Sequence, residues 1–163
     1  MDALYGMPGH LIRRAQQIST ALFTEECAKF DLTSVQYAAL HAIDLHPGID
    51  ATRLSALIAF DRSTIGDVLD RMDQKGWISR EPAPADRRIK TIELSRTGRA
   101  LLRRVEPAVQ TVQARLLAPL APADRDCFIA LLRRLADLHN ADLRNADLRN
   151  EVTAAPVRGG AAR

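Results

Sequence analysis

Apolar residues recur at intervals of three and four over most of this chain, so its dominant pattern is that of amphipathic helices. Pro8 suits the first turn of a helix, and Leu11, Ala15, Ile18 and Leu22 continue one stripe toward an end near Phe30. Thr33 and Gln36 form a T-x-x-Q capping box that opens a second helix, with Val35, Ala39, Leu40 and Ile43 facing inward until His46-Pro47-Gly48 stops it. A short third helix follows Asp50 and is expected to bury Leu54, Leu57 and Ile58. After a break at Phe60-Asp61, a fourth helix is predicted from Arg62 to Lys75. Its apolar side is Ile65, Val68, Leu69 and Met72, with Asp61 as N-cap and Gly76 as its stop.

The period then changes. Trp77 to Arg80 and Lys90 to Leu94 alternate or carry β-branched residues, and Pro82-Ala83-Pro84-Ala85-Asp86 between them is turn material, which predicts a β-hairpin with a basic tip. Thr97-Gly98 leads into a long helix with Leu102, Val105, Val109, Val112 and Leu116 on one stripe, which Pro107 is expected to bend or split. Pro122 starts a last helix carrying Phe128, Leu131, Leu135 and Leu138, extended by the repeat NADLR-NADLR. The segment from Glu151 onward has the composition of a disordered tail. The fold class is therefore mainly α with a small β-hairpin. The terminal helices carry apolar stripes too long for so small a core, which a second copy of the chain would most simply cover. On this reading, residues 1–32 and 96–150 form a helical dimerisation region, 33–95 a separate lobe and 151–163 the tail.

At 163 residues, 47% apolar and 26% charged, the chain is an ordinary globular protein. No apolar run reaches the length of a membrane span, and the opening MDALYGMPGH does not read as a secretory signal. Cys27 and Cys127 are far apart, and neither they nor His10, His41, His46 and His139 stand at metal-ligand spacing, so neither a metal nor another cofactor is expected. Both cysteines read as packing residues, and a reducing cytoplasmic setting fits. The net charge is +3, yet Lys75 to Arg104 holds nine Lys/Arg against three acids, a local +6. A basic window on a near-neutral chain suggests a polyanion met through one face, although a solvated surface can look the same. Aromatic residues make up 4%, too few for single-strand stacking platforms, which favours duplex.

Two consecutive short helices with a tight break, followed by a basic hairpin, are the parts of a winged helix-turn-helix. Arg62, Ser63, Thr64, Asp67 and Arg71 lie opposite the apolar side of the second of these helices, where hydroxyl and guanidinium groups can reach base edges and phosphates. Arg87 and Arg88 sit at the hairpin tip, with the reach to enter a minor groove, and Asp86 is placed to orient an arginine. A polar helix face and a charged turn are also what solvent alone would select. There is no phosphate-cradling glycine loop and no nucleophile elbow, so no enzyme is expected.

The stretch Leu32-Thr33-Ser34-Val35-Gln36-Tyr37, the helix pair from Thr52 to Gly76, the Asp86-Arg87-Arg88 tip and Leu94-Ser95-Arg96-Thr97-Gly98-Arg99 together resemble the MarR family of bacterial regulators over about residues 5–140. The resemblance implies an obligate homodimer whose first and last two long helices form the dimer core, with recognition helices in successive major grooves and wings in flanking minor grooves. It implies that Arg88 is the wing arginine, that Asp86 is its partner, and that Ser63, Thr64, Asp67 and Arg71 lie on the recognition helix. PGHLIRRAQQ and LIAFDRSTIGDVLDRM are further similar to a subgroup controlling breakdown of aromatic acids, including nicotinate and its hydroxylated products. The function expected is a repressor of palindromic duplex DNA, released by a small aromatic carboxylate. The alternative is a DNA-binding architectural or regulatory protein without a small-molecule ligand. In the family, ligands bind between the first two helices and the wing-bearing region, which makes His10, Arg13, Arg14, Tyr37 and His41 the candidate ligand residues. The cations would suit a carboxylate and Tyr37 a flat ring. Surface or dimer-interface roles would use the same residues.

Overall fold

The computed structural model describes the backbone of residues 2–84 and 87–153 and the side chains of residues 3–84 and 87–137. It divides into two units, Met1–Leu116 and Leu117–Arg163.

The first unit opens with a single helical turn, α1 (Asp2–Tyr5), and a long helix, α2 (Pro8–Cys27), that closes in a 3-10 turn at Ala28–Phe30. Only Phe23 and Cys27 of α2 are buried, while Leu11, Ile12 and Ile18 stay exposed in the single chain. The capping box then starts α3 (Ser34–Leu45) as its sequence requires: Thr33 Oγ1 accepts from the Gln36 amide at 3.2 Å, and Gln36 Oε1 accepts from the Thr33 amide at 3.0 Å. Ala39, Leu40 and Ile43 are buried as expected, and Val35 is half-buried.

A two-residue strand not foreseen in the sequence, β1 (Ile49–Asp50), precedes α4 (Ala51–Leu57), which Asp50 caps by accepting from the Arg53 amide at 2.9 Å. Leu54 is fully buried and Ile58 half-buried, but Leu57 is 47% exposed, against expectation, because a seven-residue helix turns only one narrow face to the core. Ala59 ends α4 in the left-handed region at φ 52°, where the Phe60 amide reaches back to the Ser55 carbonyl.

Helix α5 spans Ile65–Gln74, shorter than the predicted 62–75. Its stop is a Schellman motif: the Gly76 amide donates to the Asp73 carbonyl, the Trp77 amide donates to the Met72 carbonyl, and Gly76 takes φ 67°. Strands β2 (Ile78–Pro82) and β3 (Lys90–Leu94) form the hairpin, and β1 joins it in the antiparallel order β1-β3-β2. Pro82 belongs to the strand and not to the turn, which the edge position of β2 tolerates.

Helix α6 (Arg96–Leu117) runs unbroken through Pro107, so the predicted split does not occur. Pro107 is exposed, which leaves water access to the carbonyl it cannot bond, while buried Val105 and Val109 hold the helix to the core on either side. The Ser95 hydroxyl donates to the Gly76 carbonyl at 2.6 Å and accepts from the Gly98 amide at 3.0 Å. A Cβ at Gly98 would collide with the Trp77 carbonyl. The Ser95 to Gly98 signature is thus a clasp between the start of α6 and the end of α5.

In the second unit, α7 (Pro122–Thr153) is one helix that includes Glu151–Thr153; residues 154–163, the rest of the expected tail, lie outside the described set. Apart from half-buried Arg125, every described side chain of α7 is exposed, including Phe128, Ile129, Leu131, Leu132 and Leu135. Cys127, expected to pack, is exposed with them in the single chain. Among the described residues no helix is long and apolar enough to cross a membrane, and no group of His, Cys, Asp and Glu could hold a metal ion.

Candidate nucleic-acid interface

The start of α5 is set by one carboxylate. Asp61 Oδ1 accepts from the Ser63 amide at 2.6 Å and from the Ser63 hydroxyl at 2.5 Å, and these bonds hold the Asp61 carboxyl below the usual carboxylate range. The chain therefore turns once over Arg62, Ser63 and Thr64 before the helix begins. These three residues are exposed in the lead-in turn and not on the helix itself, a correction to the sequence reading. Asp67 and Arg71 do lie on α5, exposed; Asp67 is on the side opposite buried Ile65, Leu69 and Met72, whereas Arg71 flanks Met72 and lines a cleft with Cys27, Leu32 and Lys75.

The root of the hairpin is tied to that helix. Arg80 on β2 is within 2.7 Å of Asp70 Oδ1 and 3.0 Å of Asp73 Oδ2, both on α5. These hydrogen bonds to the two aspartates raise the Arg80 pKa despite the opposing cost of burial. They also offset one of the two negative charges that Asp70 and Asp73 bring to α5. Lys75 similarly reaches Asp31 at 2.6 Å and stands over the Trp77 ring, fixing the end of α5 against the turn after α2. Arg87 and Arg88 are exposed near the hairpin tip, and Asp86 lies outside the described residues. Arg80, Asp70 and Asp73 were missed in the sequence because nothing local distinguishes them from other surface charges; an aspartate pair spaced i, i+3 ahead of a strand arginine was the only signal.

The candidate ligand residues fall into two groups. On α2, half-buried His10 meets the Tyr5 ring edge-on at 5.5 Å, and Arg14 stands 5.9 Å from the same ring, with Arg13 exposed beside it. His10 Nε2 is buried with no hydrogen-bond partner among the described residues. On α3, Tyr37 and His41 are 6.0 Å apart and line an open cleft of about 450 Å³ with Leu45, Leu57 and Ile58. His10, Arg13 and Arg14 do not line that cleft, so the single chain does not unite the two groups there. Tyr37 donates to Glu106 Oε2 at 3.1 Å, linking α3 to α6. Burial, reinforced by the Glu106 carboxylate, pushes the Tyr37 hydroxyl up to about 12. The Tyr37–Glu106 contact was not legible in the sequence, since the two residues are 69 positions apart. Burial likewise pushes up the Cys27 thiol, as befits a packing residue.

Residues 32–90 match the MarR family. The HTH-type transcriptional repressor NicR of Pseudomonas putida is 31% identical over 129 residues, which span 79% of this chain and 82% of that repressor. The chain belongs to the MarR family. It is thereby a DNA-binding transcription regulator of the winged-helix class, and the family is one of regulators, not of enzymes. Two solved MarR-type structures carry the comparison further. The transcriptional repressor CouR bound to a 23-mer DNA duplex superposes with a TM-score of 0.77 at 29% identity, over 83% of this chain and 96% of CouR. BpsR of Bordetella bronchiseptica, whose DNA binding is regulated by 6-hydroxynicotinic acid, gives a TM-score of 0.76 at 29% identity, over 81% of this chain and 94% of BpsR. The likeness to BpsR agrees with the resemblance to the aromatic-acid subgroup.

Proposed function

We propose that this MarR family chain is a homodimeric repressor that binds palindromic duplex DNA and is released from it by a small aromatic carboxylate, of which a nicotinate derivative is one candidate. The observation that carries the DNA half is the exposed outer face of α5 braced to the hairpin through Arg80, Asp70 and Asp73. Arg62, Ser63, Thr64, Asp67 and Arg71 are assigned to the major groove, and Arg87 and Arg88, with Asp86, to the minor groove. The dimerisation role of residues 1–32 and 96–150 is supported by the apolar side chains that α2 and α7 leave uncovered, Ile18 at 51% and Leu131 at 57% exposure among them.

The ligand half keeps Tyr37 and His41 as the wall for the ring of the acid and Arg13, Arg14 and His10 as the groups for its carboxylate, two sets that the single chain holds apart and that one acid would join only in the assembled dimer. The unpartnered His10 Nε2 supports this, because a buried polar atom without a partner is a cost that a ligand can remove. The likeness to BpsR, regulated by 6-hydroxynicotinic acid, supports the chemical class. A ligand that prefers one spacing of the two recognition helices shifts the population toward it. Tenfold to hundredfold release needs only about 1.4–2.8 kcal/mol of differential affinity.

The test is a DNA-binding titration with and without 6-hydroxynicotinate and benzoate. Release by one of them, lost in an Arg14→Ala, His10→Ala double variant that still binds DNA, supports the assignment. Affinity unmoved by every such acid would instead favour a DNA-binding protein without a ligand.

A further inference from the structure

We propose that Asp67, with Gly66 beside it, makes α5 select a cytosine at one position of each half-site; this rests on the reading of α5 as the recognition helix.

Four aspartates lie at the start of α5 or on it, and three have side-chain partners, while Asp67 in the first turn has only the field of the helix N-terminus. Asp61 holds the lead-in turn through Ser63, and Asp70 and Asp73 hold Arg80. Asp67 is exposed and has no hydrogen bond or ion pair among the described residues, not even with Arg71 one turn on. At about 100° per residue it stands about 200° from both Ile65 and Leu69, so it points directly away from the core. That is the side of the helix a major groove would meet.

A carboxylate brought unpaired against DNA is repelled by phosphates and finds only acceptors on sugars. The donors of the major groove are the exocyclic amines of cytosine and adenine. Adenine presents its N7 acceptor beside the amine, which disfavours a second acceptor, whereas cytosine N4 stands alone on its base. An aspartate is therefore tolerated there when cytosine lies opposite, and is penalised otherwise.

Aspartate has a short side chain, so this contact requires the helix backbone to come close. Gly66 supplies the independent observation. It is exposed, its backbone is not in the left-handed region, and a Cβ built on it would meet nothing within 4 Å. Neither conformation nor packing inside the protein calls for glycine, the poorest non-proline residue in a helix. By the same count Gly66 stands about 100° from both Ile65 and Asp67, on the exposed flank of α5 beside the aspartate, where a missing side chain lets a partner come close to the backbone.

The experiment incubates the full-length protein with a pool of duplexes randomised over about 20 base pairs, sequences the bound fraction, and follows Tm by circular dichroism. Wild type should enrich sites with one position per half-site held as cytosine. Asp67→Ala should lose about tenfold discrimination at that position alone, and Asp67→Asn should move the preference toward adenine, whose N6 and N7 suit an amide. Gly66→Ala should raise Tm by about 2 °C yet weaken binding to the wild-type site about tenfold, two effects of opposite sign. An Asp67→Ala protein that enriches the wild-type sites with unchanged base preference would overturn the proposal, as would a Gly66→Ala protein that binds as tightly as wild type. Failure of the wild type to enrich any duplex would refute the recognition-helix reading itself.

Discussion

Arg88 and Tyr37 show how differently two side chains in one small protein are constrained. Arg88 is exposed near the tip of the β2–β3 hairpin, so its replacement by alanine should leave the Tm unchanged while weakening operator binding by about 1–3 kcal/mol, the scale of one lost specific contact. Asp86→Ala should act in the same direction and be non-additive with Arg88→Ala if the carboxylate serves only to orient the guanidinium. Fluorescence anisotropy with the two single variants and the double variant reads this directly, and unchanged affinity in both singles would refute the assignment. Tyr37 is constrained from inside, by burial and by Glu106, which together hold its hydroxyl protonated up to a pKa of about 12. The unfolded chain titrates its tyrosines near 10, so between about pH 10 and 12 the unfolded state has released a proton that the native state keeps. Stability from this group is therefore fully present below pH 10 and is lost as pH rises through 12. Urea denaturation across that window should show wild type losing stability relative to Tyr37→Phe, and parallel curves would exclude the shift.

The helix-turn-helix and its wing are held by contacts at their joints more than by helix length. The Asp61 turn starts α5, the Schellman motif at Gly76 ends it, and the Ser95–Gly98 clasp attaches α6 to the same point. Gly98 is the position with least tolerance, because a methyl group there meets a backbone carbonyl that cannot rotate away. Gly98→Ala should cost about 1–3 kcal/mol despite alanine's better helix propensity, lowering the midpoint of thermal unfolding. A Tm equal to or above wild type would show that the two segments can separate without penalty. Arg80 has a comparable role between β2 and α5, where it joins the strand to Asp70 and Asp73 and offsets part of their charge. These joints were only partly legible in the sequence. The capping box at Thr33 and Gln36 and the stop at Gly76 depend on a few consecutive residues, whereas the clasp needs a glycine and a tryptophan 21 positions apart to meet.

For the protein as a whole, the exposed apolar faces of α2 and α7 make a two-fold dimer the smallest folded species expected in solution. Sedimentation equilibrium at micromolar concentration should return twice the chain mass, and removal of residues 151–163 should leave that mass ratio intact. Leu131→Glu, at an exposed apolar position of α7, should shift the equilibrium toward monomer and weaken DNA binding, because two linked half-site contacts bind far more tightly than one. A stable wild-type monomer at that concentration would contradict the proposed assembly.

The sequence by itself determined the helix-turn-helix, the hairpin and the long terminal helices, because amphipathic period, caps and glycine stops are written within a few residues of one another. It also carried the family, through the wing and the residues that follow β3. Asp61 caps the turn over residues 62–64 as its sequence position suggests, with its carboxylate accepting from the Ser63 amide and its carbonyl from the Ile65 amide. That the regular helix starts only at buried Ile65 was not legible locally. Tertiary structure alone decided that β1 exists, because two residues form a strand only when β3 is there to pair with them. It decided that Pro107 leaves α6 whole and that Leu57 stays outside. It also separated Tyr37 and His41 from His10, Arg13 and Arg14 around the proposed ligand cleft. Each of these depends on which distant surfaces come together, a quantity that local periodicity does not contain.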